Sequence, residues 1–247
     1  MGVIETLALR PDGLSLTGLS RSLELPKTSL FNLLRALERE RYVVNVQGSY
    51  RLGMAAIRLG SMISGGVPLR RKIGALLPAI AARCGETALL AVPTEDRQEV
   101  LYVDIADGPE AIRFAAVVGT RRPLYCTAAG RVALAFSDDA FVQHYLATTR
   151  RKAWTPHTTT DKAALRRLVG EIRRTGVVET RDQMVMGLWG FGAPVFDAGR
   201  TLVAAVMIAA PTDRGRQKRQ QLVAAVRASG EEMSRVLGLA GTYPGSR

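Results

Sequence analysis

Leucines recur at a helical interval between residues 30 and 37. Leu30, Leu33, Leu34 and Leu37 stand at i, i+3, i+4 and i+7, the spacing of one buried helix face. Pro26 stands at the head of this stretch, and a first helical position tolerates its missing N–H. The spacing predicts a helix over 26–38. Its other face carries Lys27, Thr28, Ser29, Phe31, Asn32 and Arg35. An ordinary solvated face more often carries Glu and Lys, whereas these side chains offer hydrogen-bonding groups for base edges and cations for phosphates. Upstream, Val3 to Leu9 reads as a first helix. Ser15 or Thr17 can cap a second one that turns Leu16 and Leu19 inward, and a tight break at Glu24-Leu25 then completes a helix-turn-helix. Downstream, β-favouring residues at 42–46 and 50–52 flank Gln47-Gly48-Ser49, a hairpin signal that places Arg51 near phosphate or the minor groove. Residues 1–53 therefore read as a winged helix-turn-helix. An unrelated three-helix subdomain, or a purely structural dimerisation protein, leaves the polar face of residues 27–35 without a purpose.

Met54 to Ile63 is helix-compatible, and Gly65-Gly66-Val67-Pro68 interrupts it. Residues 54–69 read as a linker helix and domain boundary, with Ala55, Leu59 and Met62 facing a second copy of the chain. Beyond residue 70, helical and extended patterns alternate. Helical spacing is expected at 73–84, 127–136, 138–148, 162–174 and 216–237, and strand character at 87–92, 100–105, 112–118, 177–180, 188–196 and 201–210. Such grouping implies an α+β domain around a central antiparallel sheet over 70–241, followed by a tail at 242–247.

Thr127 can cap the helix that follows it, leaving the N–H groups of Ala128, Ala129 and Gly130 without helical acceptors. Those donors make an anion site; the alternative is a helix start packed on a strand, with water as the partner. In 188–196, alternation puts Leu188, Gly190 and Gly192 on one face and Trp189 and Phe191 on the other.

Charge sharpens the picture. Lys+Arg 34 against Asp+Glu 22 leaves a net charge of +12, which suits a polyanionic partner. The basic runs 150–152 and 214–219 read as solvated loops or helix starts. The second is unusual, because cations at a helix N-terminus oppose its dipole. Cys84 and Cys126 form no C-x-x-C pair, and His144 and His157 are the only histidines, so neither a disulfide framework nor a metal site is expected and no cofactor is implied. No apolar run reaches the ~18–20 residues of a membrane helix. A cytoplasmic protein without membrane association is the expectation, and the opening MGVIET reads as the start of the first helix rather than a lipidation signal.

The competing class is an enzyme. Cys126 precedes a helix N-terminus, where a thiolate is favoured, so a redox or hydrolytic enzyme built on it is the alternative. No histidine lies near it in sequence to serve as base. The glycines at 187, 190 and 192 do not follow the dinucleotide-binding order.

The stretch LSLTGLSRSLELPKTSLFNLLRALERERYVV, closed by Tyr50-Arg51-Leu52-Gly53, resembles the N-terminal domain of IclR-type bacterial transcriptional regulators. The resemblance continues in Val118-Gly-Thr-Arg-Arg-Pro-Leu124, Thr127-Ala-Ala-Gly130 and Gly187…Ala193-Pro-Val195, which are similar to the family's GAF-like effector domain. It implies a regulator, expected to repress a catabolic operon, acting as a homodimer or homotetramer on a palindromic double-stranded operator and releasing or gaining hold when a small metabolite binds. The effector positions it implies are Leu124, Cys126, Thr127, Ala128, Ala129, Thr180, Leu188, Gly190, Met207 and Ala209. Two departures stand out. Asn32 replaces a frequent arginine, and asparagine pairs bidentately with adenine. Thr180, Gly190, Met207 and Ala209 stand where polar groups often hold a small keto-acid. The expected effector is therefore a carboxylate larger and more apolar than glyoxylate or pyruvate, such as an aromatic one; the alternative is that Met207 and Ala209 simply fill core.

Overall fold

A computed structural model describes residues 2–66, those from 61 by backbone only, and 72–245. The chain divides into two compact units, Met1–Arg71 and Lys72–Arg247.

The first unit runs α1 (Val3–Ala8), β1 (Leu14–Ser15), α2 (Leu16–Leu23), α3 (Lys27–Arg39), β2 (Val43–Val46), β3 (Ser49–Leu52) and α4 (Met54–Gly66). Its small sheet has the order β1-β3-β2. Val3, Leu7, Leu19, Leu30, Leu34, Val43 and Tyr50 form the core. Ser15 caps α2, its hydroxyl accepting from the Gly18 N–H at 3.1 Å. Glu24 ends that helix in the left-handed region (φ 54), and the Ser20 hydroxyl donates to the Leu25 carbonyl to lock the turn. The hairpin is joined by Gln47-Gly48, both at positive φ, the primed turn that matches strand twist. Two expectations need correction here. Pro26 is the cap rather than the first helical residue, because its ψ of 138° is extended. Leu33 lies on the margin of the leucine stripe and is exposed.

Helix α4 continues through Gly65-Gly66, where an interruption was expected. Ala55 is buried inside its own unit and so is not available to a second copy, whereas Leu59 is exposed. The Met62 side chain and Val67-Pro68 lie outside the described residues.

The second unit holds a six-stranded sheet, entirely antiparallel, in the order β6-β5-β4-β9-β8-β7. The strands are β4 (Thr87–Pro93), β5 (Glu99–Ala106), β6 (Arg121–Pro123), β7 (Val178–Arg181), β8 (Leu188–Phe196) and β9 (Leu202–Pro211). The helices are α5 (Leu77–Cys84), α6 (Ala128–Ala135), α7 (Asp139–Thr148), α8 (Lys162–Thr175), α9 (Thr212–Gln217) and α10 (Arg219–Val236). One face of the sheet meets α6, whose close approach depends on glycine. A Cβ on Gly130 would stand 2.5 Å from Leu124 Cα, and one on Gly192 3.2 Å from the Ala128 carbonyl carbon. Trp189 and Phe191 stack on the opposite face, with Gly215 of α9 against the indole.

Several expectations change. Residues 112–118 form no strand: Ile112, Val117 and Val118 face solvent, and β5 pairs instead with the short β6. The last helix is broken at Lys218, separating α9 from α10. Helical spacing over 73–84 resolves into a 3-10 turn at Gly74–Leu76 and then α5. Residues 242–245, expected as part of a tail, include Tyr243, which is buried against Phe196 and donates its hydroxyl to the Pro194 carbonyl at 2.6 Å.

The basic runs are engaged rather than free. Arg214 forms a two-pronged pair with the fully buried Glu86, and Lys218 approaches the same carboxylate at 3.5 Å. Arg219 pairs with Glu179. Arg151 donates to the carbonyls of Leu146, Thr149 and Thr160. The conflict with the helix dipole disappears for Arg214 and Arg216, which lie in the last turn of α9, where cations are favoured; Lys218 and Arg219 do stand at the start of α10, and there Glu86 and Glu179 supply the counter-charge.

Candidate functional site

Helix α3 is held to the first unit by Leu30 and Leu34, both buried. At about 3.6 residues per turn, Asn32 falls opposite the midpoint of that seam. Lys27, Thr28, Ser29, Phe31, Asn32 and Arg35 are all exposed. The helix opens toward these groups with Thr28 and Ser29 in its first turn, so its unpaired N–H groups and Lys27 lie together. Arg51 on β3 is exposed at its outer end, while its Nε donates to the Asp12 carbonyl at 3.1 Å and so fixes the side chain's direction. Val44 and Val46 of the wing also face solvent.

In the second unit a cavity opens beside the N-terminus of α6. It is lined by Tyr102, Phe114, Arg122, Cys126, Thr127, Ala128, Thr180, Met184, Val185, Leu188, Gly190 and Met207. Of the ten residues nominated from sequence, Cys126, Thr127, Ala128, Thr180, Leu188, Gly190 and Met207 come together here. Leu124, Ala129 and Ala209 do not; all three are buried in the packing behind it. Ala209 pairs with Gly190 across two strands, and this register brings Gly190 over the α6 start. Thr127 caps α6, accepting from the Gly130 N–H at 3.1 Å and donating to the Pro123 carbonyl at 3.0 Å.

Sequence reasoning missed Tyr102, Phe114, Arg122, Met184 and Val185. Tyr102 and Arg122 come from β5 and β6, and the pairing of Val100 with Arg122 is what brings them to the cavity. Burial pushes the Tyr102 phenol up, and the neighbouring Arg122 opposes that shift. Met184 and Val185 lie in the turn between β7 and β8. Its ends are fixed: the Gly187 N–H and the Thr212 hydroxyl both donate to the Asp182 carboxylate. Next to it, Gln183 Oε1 accepts from the buried Arg131 guanidinium at 2.6 Å and from the Thr159 N–H at 2.8 Å. Burial lowers Arg131 to about 10.

The free volume is about 30 Å³, room for roughly one water and far below the ~300 Å³ of a typical ligand pocket. Any organic ligand must therefore displace side chains at the mouth.

Cys126 is enclosed, and burial pushes its thiol up to about 11 despite the Arg131 charge nearby. A helix N-terminus does not overcome that desolvation, so the sulfur is a neutral thiol near pH 7. His144 and His157 are exposed. Among the described residues, no group of three or more His, Cys, Asp or Glu converges as a metal site, and no helix is long and apolar enough to cross a membrane.

Two profiles cover most of the chain. Residues 1–47 match the IclR helix-turn-helix domain, and residues 63–235 match the bacterial transcriptional regulator IclR C-terminal domain. The chain belongs to the IclR family of bacterial transcriptional regulators. This IclR-family protein is 28% identical over 241 residues to the DNA-binding transcriptional repressor YiaJ of Escherichia coli, covering 96% of this chain and 85% of YiaJ. The crystal structure of an IclR regulator from Alicyclobacillus acidocaldarius is 27% identical and superposes with a TM-score of 0.81, covering 96% of this chain and 100% of that one. The fold is shared at 21% identity and a TM-score of 0.79 by an IclR homolog of Microbacterium hydrocarbonoxydans, solved in complex with 4-hydroxybenzoate, with 95% and 98% covered. The winged helix-turn-helix and the effector domain with its antiparallel sheet are thus the IclR architecture, and the protein is a DNA-binding transcriptional regulator.

Proposed function

We propose that this regulator reads a palindromic operator through α3 and represses an operon for using the organic acid that it senses in the cavity beside α6. The observation that carries the DNA-reading assignment is the exposed polar face opposite the Leu30–Leu34 seam. Asn32, at its centre, contacts a base; Lys27, Thr28, Ser29 and Arg35 contact bases or flanking phosphates; Phe31 packs against the groove wall; Arg51 lies near phosphate or the minor groove. Repression is the direction that the name of YiaJ supports. The protein works in the cytoplasm, where its operator is.

The effector is a carboxylate with an apolar, aromatic body. Phe114, Met184, Val185, Leu188 and Met207 supply apolar walls, and Cys126, Thr127, Ala128, Thr180 and Gly190 line the inner end, backed by Leu124, Ala129 and Ala209. The flexible Met184 side chain and Val185 swing outward on binding, since the cavity is too small otherwise. The 4-hydroxybenzoate complex concerns a distant relative with this fold and puts such acids in scope. The regulator is a homodimer or homotetramer: exposed Ile57 and Leu59 on α4, beside an apolar groove floored by Ile4, Leu37 and Tyr42, suit a second copy. It catalyses no reaction and needs no cofactor; Cys126→Ser should leave operator binding and effector response intact.

Fluorescence anisotropy with DNA from upstream of the gene tests the reading. Affinity should fall steeply with salt. Asn32→Ala should shrink the preference for that DNA over a scrambled duplex by roughly 5- to 100-fold, and Lys27→Ala should weaken both duplexes alike while reducing the salt slope by about one. Equal affinity of the unaltered protein for both duplexes at all salt concentrations refutes operator reading. Calorimetry with benzoate against pyruvate tests the effector, and tighter pyruvate binding overturns the aromatic assignment.

A further inference from the structure

The cavity beside α6 has an uneven charge balance. Among the described residues, its lining holds one cationic side chain, Arg122, and no carboxylate. Arg122 donates from Nη1 to the neighbouring Arg121 carbonyl at 3.3 Å and also meets the Tyr102 phenol, and none of the described ion pairs involves it. This sets it apart from two other arginines of the same unit. Arg131 is occupied by the Tyr125 carbonyl and Gln183, and Arg214 by Glu86 and the Ile112 carbonyl. Those two are structural, while the described partners of Arg122, the Arg121 carbonyl and the Tyr102 phenol, are both uncharged. Tyr102, almost fully buried, carries its hydroxyl to the same place.

The position of Arg122 is dictated by the fold. It lies on β6, a strand of three residues paired only with β5, and its partner across the ladder is the buried Val100. The strand is pinned at its end by the Thr127 hydroxyl bond to the Pro123 carbonyl, which ties it to the cap of α6. The cation is thus held by a rigid frame but is not consumed by it. A guanidinium in a half-buried, apolar-walled site without a protein counter-charge favours a ligand that brings the negative charge itself.

We infer that Arg122 is the specificity-determining residue of the effector pocket, pairing with the carboxylate of a monoanionic acid while Tyr102 donates a second hydrogen bond to it. The inference rests on the effector reading proposed above and adds to it the charge and the number of charged groups of the ligand. One cation and no acid in the lining select a single negative charge. A neutral isostere loses the pair, and a dicarboxylate leaves its second charge among Phe114, Met184 and Val185. The phenol and the guanidinium together fix the direction in which the acid enters, with its apolar body toward the Met184–Val185 mouth.

The test uses the full-length protein, calorimetry, and the probes benzoate, benzamide and benzamidine. The unaltered protein should bind benzoate roughly 10- to 100-fold more tightly than benzamide, the range that a charge-assisted hydrogen bond carries. Arg122→Gln should erase that difference by weakening benzoate alone, with benzamide unchanged as the control for an intact pocket. Arg122→Glu should invert the preference toward benzamidine, a readout that mere loss of structure cannot produce. If Arg122→Gln binds benzoate as the unaltered protein does, the role of Arg122 is refuted while the effector reading stands. If the unaltered protein binds neither benzoate nor benzamide, the effector reading falls and this inference falls with it.

Discussion

Glu86 and Arg214 meet in a side-on pair, with Nε 2.7 Å from Oε1 and Nη2 2.8 Å from Oε2, although they stand far apart in sequence. The carboxylate is fully enclosed, so the guanidinium is the chief source of its counter-charge, and Arg214 also holds the Ile112 carbonyl of the 107–120 segment. Arg214→Ala should therefore cost about 3 kcal/mol, the loss typical when a buried charge is left unpaired. Urea unfolding of the full chain measures it. A loss below ~1 kcal/mol means that Lys218, 3.5 Å away, suffices as counter-ion.

Leu34 and Leu33 are adjacent leucines with opposite duties. Leu34 is fully buried in the first unit's core, whereas Leu33 is 44% exposed. Leu34→Ala should destabilise that unit by roughly 2–5 kcal/mol. Leu33→Ala should cost under about 1 kcal/mol. Thermal unfolding separates them, and equal losses contradict the observed orientation of α3.

Gly190 leaves space at the inner end of the cavity. A Cβ there would stand 2.9 Å from Thr180 Oγ1 and 3.2 Å from the Ala128 Cβ. Gly190→Val should cost about 1–3 kcal/mol through overpacking and abolish benzoate binding, while operator affinity without effector stays unchanged. Calorimetry and anisotropy read the two arms. Undiminished benzoate binding places the acid elsewhere.

The Cys126 thiol is raised from 9.0 to about 11, chiefly by burial. Its native state holds the proton more tightly than the unfolded chain, so its contribution is complete below pH 9 and is lost as pH rises from about 9 to about 11. The stability difference between the unaltered protein and Cys126→Ala should shrink over that interval, as followed by urea titration. At pH 8 the native thiol should react with a thiol reagent far more slowly than a free cysteine. Fast labelling at pH 8 contradicts its enclosure.

Local pattern carried the first unit well. The Leu30–Leu34 seam, the Ser15 cap and the Gln47-Gly48 turn are written in residues close to one another in the chain, where period and turn chemistry decide. The 188–196 strand was legible too, because alternation and length agree there. Residues 112–118 were not: a run of apolar, β-favouring residues signals a strand whether or not another strand lies beside it, and β5 is met by 121–123 instead. The pocket was legible on the α6 side, where the cap of Thr127 is local. Arg122 and Tyr102 were invisible because an edge pairing brings them in, and Met184 and Val185 because a turn folds back between β7 and β8. Likewise the run 214–219 looked solvated, since neither Glu86 nor Glu179 is near it in sequence.

Strand β6 ends one side of the large sheet with Arg121, Arg122 and Pro123. A foreign strand that tried to extend the sheet there would meet two cations, a residue without an N–H and only three positions to grip, each a known deterrent to edge-to-edge aggregation. The same few residues that would greet an acid thus also discourage the protein from polymerising along its pocket border.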